Sequence, residues 1–261
     1  MTAAQSTPRI EIDGQSPATE QLTAAALDSY GHFTAMQVRN HQVRGLELHL
    51  ARLTSAHLEL FGADLDDRVV AERVRHALRA TAGDASVRVY LRHLDDQPSV
   101  MVTVRPPGEM PAGPWRLLAV PYQRSVAHVK HLGDFGQGYF QRLAWRSGFD
   151  EALLTGADGI ISEGSITNVG FFDGNTVVWP DAPMLAGITM QVLAARIGEL
   201  GLTSRRAEVR LTDVQSLDGA FVTNARGIAA VASIDETVLP VDADRMTLLM
   251  TAYDSVGWDR I

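Results

Sequence analysis

Two hydrophobic periods take turns along the first half of the chain. Residues 32–45 (HFTAMQVRNHQVRG) alternate with a period of two and predict a hairpin that turns at Asn40-His41. Leu46, Leu50, Leu53, Leu60 and Phe61 then recur at near-helical spacing, which predicts a helix over 46–62 stopped by Gly62. A second helix over about 66–81 precedes two strands, SVRVYLRH (86–93) and SVMVTVRP (99–106). By the same period of two, Arg88, Tyr90 and Arg92 share one strand face.

The segment RPPGEMPAGP (105–114), dense in proline and glycine, is the expected hinge. After it, WRLLAVPYQ predicts a strand and VAHVKHLG a strand-like stretch with Val126, His128 and Lys130 on one face. A helix over about 137–147 follows. The run from Glu151 to Pro180 predicts a strand meander with turns at Ala157–Gly159 and Asp173-Gly174. ITMQVLAARIGELGL (188–202) predicts an amphipathic helix, GAFVTNARGIAAVASID two strands about a turn, and 241–256 a last helix. Strands and helices come in groups without a regular parallel crossover repeat, so the expected class is α+β.

Composition narrows the chemistry. Apolar residues make up 46% and charged residues 21% of 261, as in a globular enzyme. The net charge of −8 gives no pull toward nucleic acid or an anionic membrane, so an anionic ligand needs local binding features. With no cysteine, disulfides, thiolate metal sites and cysteine nucleophiles are excluded. MTAAQSTPRIEIDG lacks the basic start and apolar core of a secretory signal, and no apolar run approaches the roughly 20 residues of a membrane span. The expected location is cytoplasmic. The eight histidines show no metal spacing, and no metal is expected.

Several residues admit a chemical role beside an ordinary one. Lys130 is either a solvated lysine or an amine aimed into a pocket where it can act as a nucleophile. Glu163 is either a turn residue before Gly164 or a carboxylate that holds a proton on a pyridine nitrogen. Arg52, if buried, suits a phosphate through its paired donors. Gly187-Ile188-Thr189 opens a helix, whose first N–H groups are free.

Together these features have the order and spacing of one family. Lys130, the run Gly148-Phe149-Asp150-Glu151-Ala152, then Glu163-Gly164-Ser165-Ile166-Thr167-Asn168, and Leu185-Ala186-Gly187-Ile188-Thr189 resemble the class IV aminotransferases, with the glutamate 33 positions after the lysine. Leu48-His49-Leu50-Ala51-Arg52-Leu53 is similar to the family's HxxRL helix. The resemblance spans about 28 to 235. It implies a fold-type IV enzyme that binds pyridoxal 5′-phosphate (PLP) in a cleft between a small domain, 1–118, and a larger one, 119–261. It further implies that Lys130 is the catalytic Schiff-base lysine and that Glu163 pairs with the pyridine nitrogen. Arg52, Ile188 and Thr189 would hold the phosphate with Thr223 and Asn224 assisting, Thr167 and Asn168 would line the ring, and Leu185 would pack on its face. Phe33 and Arg92 would meet substrate, Arg92 being the nearest match to the basic groups that grip a carboxylate in the D-amino-acid enzymes.

The chain also departs from the pattern. Phe33 replaces a tyrosine common in the transaminases, Ser29-Tyr30-Gly31 a Gly-Asp-Gly, Ala225 a hydroxyl residue, and Met190 an arginine. Phe33-Thr34 and Asn224-Ala225 lean toward the aminodeoxychorismate lyases, whereas Ala35 stands where those carry a second threonine. The implied activity is ping-pong transfer between a small-molecule amino donor and a keto acceptor. Pyruvate elimination of the lyase type, or PLP binding without turnover, is the alternative. The resemblance also implies a homodimer, and the hairpin is expected to expose Val38 and Val43 to the partner.

Overall fold

A computed structural model of the chain describes residues 7–81, 83–94 and 97–261. The first six residues of the N-terminal stretch that was read for a signal lie outside it. Met1–Gly108, Val129–Gly133 and Gly257–Ile261 form one compact unit, and Glu109–His128 with Asp134–Val256 form another. The chain leaves the first unit after Gly108, inside the segment expected as a hinge. The boundary expected at 118/119 falls within a strand of the second unit, Trp115–Pro121.

The first unit runs β1 (Arg9–Ile12), α1 (Thr19–Leu27), β2 (His32–Val38), β3 (Gln42–Arg44), α2 (Leu46–Phe61), α3 (Asp67–Leu78), β4 (Ala85–Leu94) and β5 (Gln97–Arg105). Its antiparallel sheet has the order β1-β5-β4-β2. The turn between β2 and β3 falls at Asn40 and His41, with φ of 49° and 59°. Two left-handed residues give a two-residue hairpin the twist of its strands, and asparagine adopts that conformation readily. Gly62, at φ 65°, caps α2 as the spacing predicts. Asp66 caps α3 by accepting from the Arg68 N–H, and that helix stops at Leu78, short of 81.

Alternate residues of the strands and one stripe of α2 and α3 meet in a core that includes Met36, Leu53, Val74, Leu78, Val87, Val89 and Val102. Val38 and Val43 are 0% and 2% exposed in that core, so the hairpin does not expose them to a partner. They face inward because the period of two that makes the strands also selects their buried side. The sequence reading passed over β1 and α1. The former is only four residues long, and the latter buries no residue, so neither carries a periodic signal.

The second unit contains β6 (Trp115–Pro121), α4 (Phe135–Arg146), β7 (Glu151–Thr155), β8 (Ile161–Gly164), β9 (Asn168–Asp173), β10 (Thr176–Pro180), α5 (Ile188–Ala194), β11 (Thr203–Ala207), β12 (Gly219–Asn224), β13 (Gly227–Ile234), β14 (Thr237–Val238) and α6 (Ala243–Ser255). The strand order is β11-β10-β9-β12-β13-β6-β7-β8, with β14 beside β13. The pairs β6–β7, β6–β13 and β10–β11 are parallel and the others antiparallel. The turns of the meander close with Gly159 at φ 79° and Gly174 at φ 55°. The helix expected over 188–202 ends at Ala194. Arg196 N–H donates to Leu193 O, a three-residue bond that tightens the chain into a 3₁₀ turn over Ile197–Leu200. A final strand, β15 (Trp258–Arg260), returns to the first unit and pairs with β3.

The stretch before Lys130 is a turn, which corrects the expected strand face of Val126, His128 and Lys130. Val126 is left-handed at φ 46°, and the Arg124 guanidinium donates to Ala127 O at 3.1 Å, closing the turn. Beyond it the chain joins the edge of β2, where Phe33 N–H donates to Lys130 O and Leu132 N–H to Gly31 O, both at 2.9 Å. The α+β class stands as expected, with two parallel crossovers through α4 and α5 but no repeat. No helix among the described residues is long and apolar enough to cross a membrane.

Candidate active site

In the first unit the edge of β2 brings Lys130 beside Phe33, with Nζ 4.8 Å from the ring centroid. Tyr90, paired with Phe33 across the sheet, stacks on it at 5.5 Å with the planes 20° apart. Arg88 lies two residues earlier on that face of β4, its guanidinium carbon 5.9 Å from the same ring. Arg92 shares the strand face, but its Nη1 donates to Ala25 O at 2.5 Å. That carbonyl lies in the last turn of α1, where the negative end of the helix dipole draws a cation. The structure therefore places Arg88, not Arg92, at the aromatic pair beside the lysine.

Behind β2, Arg52 Nη2 donates to Thr34 Oγ1, which lies 2.7 Å from Nδ1 of His49. A guanidinium only donates, so the threonine oxygen accepts from Arg52, and its contact with His49 Nδ1 runs in the direction set by the imidazole tautomer. Burial, followed by the charges of Arg52 and Lys130, holds His49 well below the usual histidine range, so the ring is neutral. Burial lowers the Arg52 guanidinium to about 10, which leaves it cationic at neutral pH. Its Nε is enclosed and has no hydrogen-bond partner among the described residues.

The second unit gathers the other predicted residues. Glu163, 4% exposed on β8, accepts from Arg124 Nη1 at 3.1 Å through one oxygen and from Leu185 N–H at 3.2 Å through the other. The ion pair offsets much of the cost of burying a carboxylate. Thr167 and Asn168 are buried with their polar ends engaged. Thr167 Oγ1 donates to Glu151 at 2.9 Å, while Asn168 donates to Leu185 O at 2.7 Å and accepts from Gly187 N–H at 3.1 Å. This clamp sets the entry of α5, and a side chain at position 187 would begin 2.1 Å from the Asn168 oxygen.

Ile188 and Thr189 follow as the first turn of α5, and the Thr189 hydroxyl donates to Asn224 O at 2.7 Å. Thr223, 1% exposed at the end of β12, has a hydroxyl with no partner among the described residues. Arg52 Nε in the first unit and Thr223 Oγ1 in the second are thus two of several enclosed polar atoms with no hydrogen-bond partner among the described residues. Donors of this kind suit a phosphate, so the residues present fit PLP. Among the described residues no group of three or more histidine, aspartate or glutamate side chains gathers as a metal site.

Sequence reasoning missed Arg124 and the role of Glu151. Arg124 stands six residues before Lys130 in the run YQRSVAHVK, and only the fold brings it to Glu163. The profile of the family described as Amino-transferase class IV matches residues 31–234. The chain belongs to the class IV amino-transferase family. A relative in Rickettsia felis, called a probable branched-chain-amino-acid aminotransferase, is 34% identical over 90 residues. That stretch is 34% of this chain and 31% of the Rickettsia protein, so the match spans less than a third of the relative's length. Two solved structures share the fold of this class IV chain. A hypothetical aminotransferase from Mycobacterium tuberculosis in its PLP-bound form has a TM-score of 0.78 at 21% identity, with 89% of this chain and 90% of that one covered. A putative 4-amino-4-deoxychorismate lyase from Legionella pneumophila has a TM-score of 0.80 at 17% identity, with 90% and 93% covered.

Proposed function

We propose that the chain is a PLP-dependent aminotransferase that moves an amino group from an amino acid or amine to a keto acid in a ping-pong cycle. The observation that carries this reading is Glu163, a buried carboxylate pinned through both oxygens, in a class IV amino-transferase chain whose Lys130 lies beside an aromatic pair. When bound, PLP supplies an electron sink for the carbanion left as the substrate α-proton departs. Lys130 Nζ would hold the cofactor, and as a free amine it would carry the substrate α-proton as base and then acid. Glu163 holds a proton at the pyridine nitrogen, and Arg124 keeps the carboxylate in place. Arg52, Thr223 and the backbone of Ile188 and Thr189 bind the phosphate, while neutral His49 fixes Arg52 through Thr34. Asn168 orients the 185–187 segment, Leu185 would pack on the ring, and Asn224 anchors Thr189.

Protein incubated with PLP is expected to show a visible absorption band, and borohydride to fix the cofactor on the peptide containing Lys130. Full turnover by Lys130→Ala without added amine would sink the assignment. A screen of amines and amino acids for conversion of the cofactor to its aminated form identifies the donor. The second reading, lyase-type elimination, is favoured by Phe33-Thr34 with the Thr34 hydroxyl held between Arg52 and His49. Release of pyruvate without dependence on an acceptor distinguishes it. We place the protein in the cytoplasm as a homodimer. Phe135, Tyr139 and Trp145, all exposed on α4, support an interface, and sedimentation with assay at one concentration tests it.

A further inference from the structure

Glu151 opens β7 and is fully buried, yet among the described residues it pairs with no cation in the way Glu163 pairs with Arg124. Its oxygens serve the loop that joins β8 to β9. Oε1 accepts from Ile166 N–H at 2.7 Å and lies 3.2 Å from Ser165 Oγ, while Oε2 accepts from Thr167 Oγ1 at 2.9 Å. The loop closes so tightly that a side chain at Gly164 would begin 2.2 Å from Thr167 Oγ1 and 2.7 Å from Glu151 Oε1.

The hydrogens around Ser165 do not balance if Glu151 is ionised. Ser165 Oγ is in hydrogen-bond contact with both Gln141 Oε1 and Glu151 Oε1. It has one hydrogen, and neither an amide oxygen nor a carboxylate brings another. Turning the Gln141 amide over would supply one, but at the expense of its Nε2 donation to Asp150 O at 2.9 Å and its acceptance from Ala152 N–H at 3.4 Å. One proton on Glu151 Oε1 completes the set. Glu151 then donates to Ser165, Ser165 donates to Gln141, and the Ile166 N–H keeps its acceptor.

We propose that Glu151 is a positioning residue that holds the 164–167 loop as a neutral carboxylic acid. The inference rests on the reading of that loop as part of the PLP site, because it carries Glu163 at one end and Asn168 at the other. The surroundings agree. From the elements packed on it, α4 presents uncharged Gln141, β6 sets Leu117 opposite in register, and the loop offers hydroxyls and an N–H. Arg226, in the turn between β12 and β13, is a charge that faces it and favours ionisation. Burial outweighs that charge and the hydrogen bonds, and raises the carboxyl from 4.5 to about 7.

The test compares Glu151→Gln and Glu151→Ala with the parent. An acid raised by folding contributes stability that is fully present below its ordinary value of 4.5 and is lost as pH rises to about 7. Melting of the apoprotein from acid to alkaline pH should show the parent losing stability relative to Glu151→Gln as pH rises toward about 7. A constant difference between the two would overturn the proposal. In titrations with PLP, Glu151→Ala should bind at least about tenfold more weakly, while Glu151→Gln, which keeps a donor for Ser165, should bind within about threefold of the parent. Equal losses in both would also overturn it. Should the parent bind no PLP, the proposed function fails, and the apoprotein melting still decides the state of Glu151.

Discussion

At the scale of single residues, the bonds around Arg52 and Glu163 make separable predictions. Thr34→Val removes a hydroxyl that serves both Arg52 and His49 and leaves two enclosed polar groups without it. The expected cost is about 1–3 kcal/mol, read by denaturant unfolding of the apoprotein. Arg52→Ala should loosen PLP more than it slows the loaded enzyme, since the phosphate is an anchor that does not react. Unchanged retention in dialysis would return Arg52 to a purely structural role. Glu163→Gln should cut turnover sharply while the fold persists. Rates within about twofold, worth only about 0.4 kcal/mol, would remove it as the partner of the nitrogen. Arg88 and Arg92 should now behave differently. Arg88→Ala should lower kcat/KM for amino acids roughly 10- to 150-fold and spare simple amines, the loss expected for one charge-assisted bond. Arg92→Ala should chiefly lower stability, through its bond to Ala25 O. Sequence periodicity placed both arginines on one face and went no further, because the choice between them is made by α1, which has no buried residue to announce it.

At the scale of elements, what was legible depended on how strongly a segment alternates. The β2–β3 hairpin and α2 appear where their patterns put them, down to Asn40-His41 and Gly62. The stretch from Ser125 to Lys130 failed, because an apolar-polar alternation there coincides with a turn closed locally, by the Arg124 guanidinium on the carbonyl three residues on. Val126 is exposed and left-handed, a conformation that a β-branched residue adopts at a cost of about 1–2 kcal/mol. Val126→Gly is therefore expected to raise the melting temperature, and a fall would show that the valine side chain itself is needed. The candidate site was legible as an ordered set of residue types, whereas Arg124 and Glu151 were not. Their roles arise from partners 39 and 14–16 residues away, set by the strand register.

At the scale of the molecule, the buried histidines should dominate the response to acid. Burial, then the charge of His57, lowers His32 from 6.5 to about 3, and burial holds His49 well below the same value. A histidine depressed by folding contributes stability that is present above 6.5 and is lost as pH falls. The apoprotein should accordingly be most stable near pH 6.5, losing stability steeply on the acid side and, through Glu151, slightly up to about 7. Melting followed from pH 4 to 8 checks this, and a profile flat below 6.5 would refute it. The division into units has another consequence. Lys130 lies in a five-residue excursion, Val129–Gly133, that belongs with Met1–Gly108 although the sequence on both sides of it does not. Recombination with a homologue at a single crossover near 108 would graft a foreign β2 against a native lysine segment. A chimaera that carries 129–133 and 257–261 along with 1–108 keeps the lysine with the strand that seats it, so the inheritable block here is discontinuous in the gene.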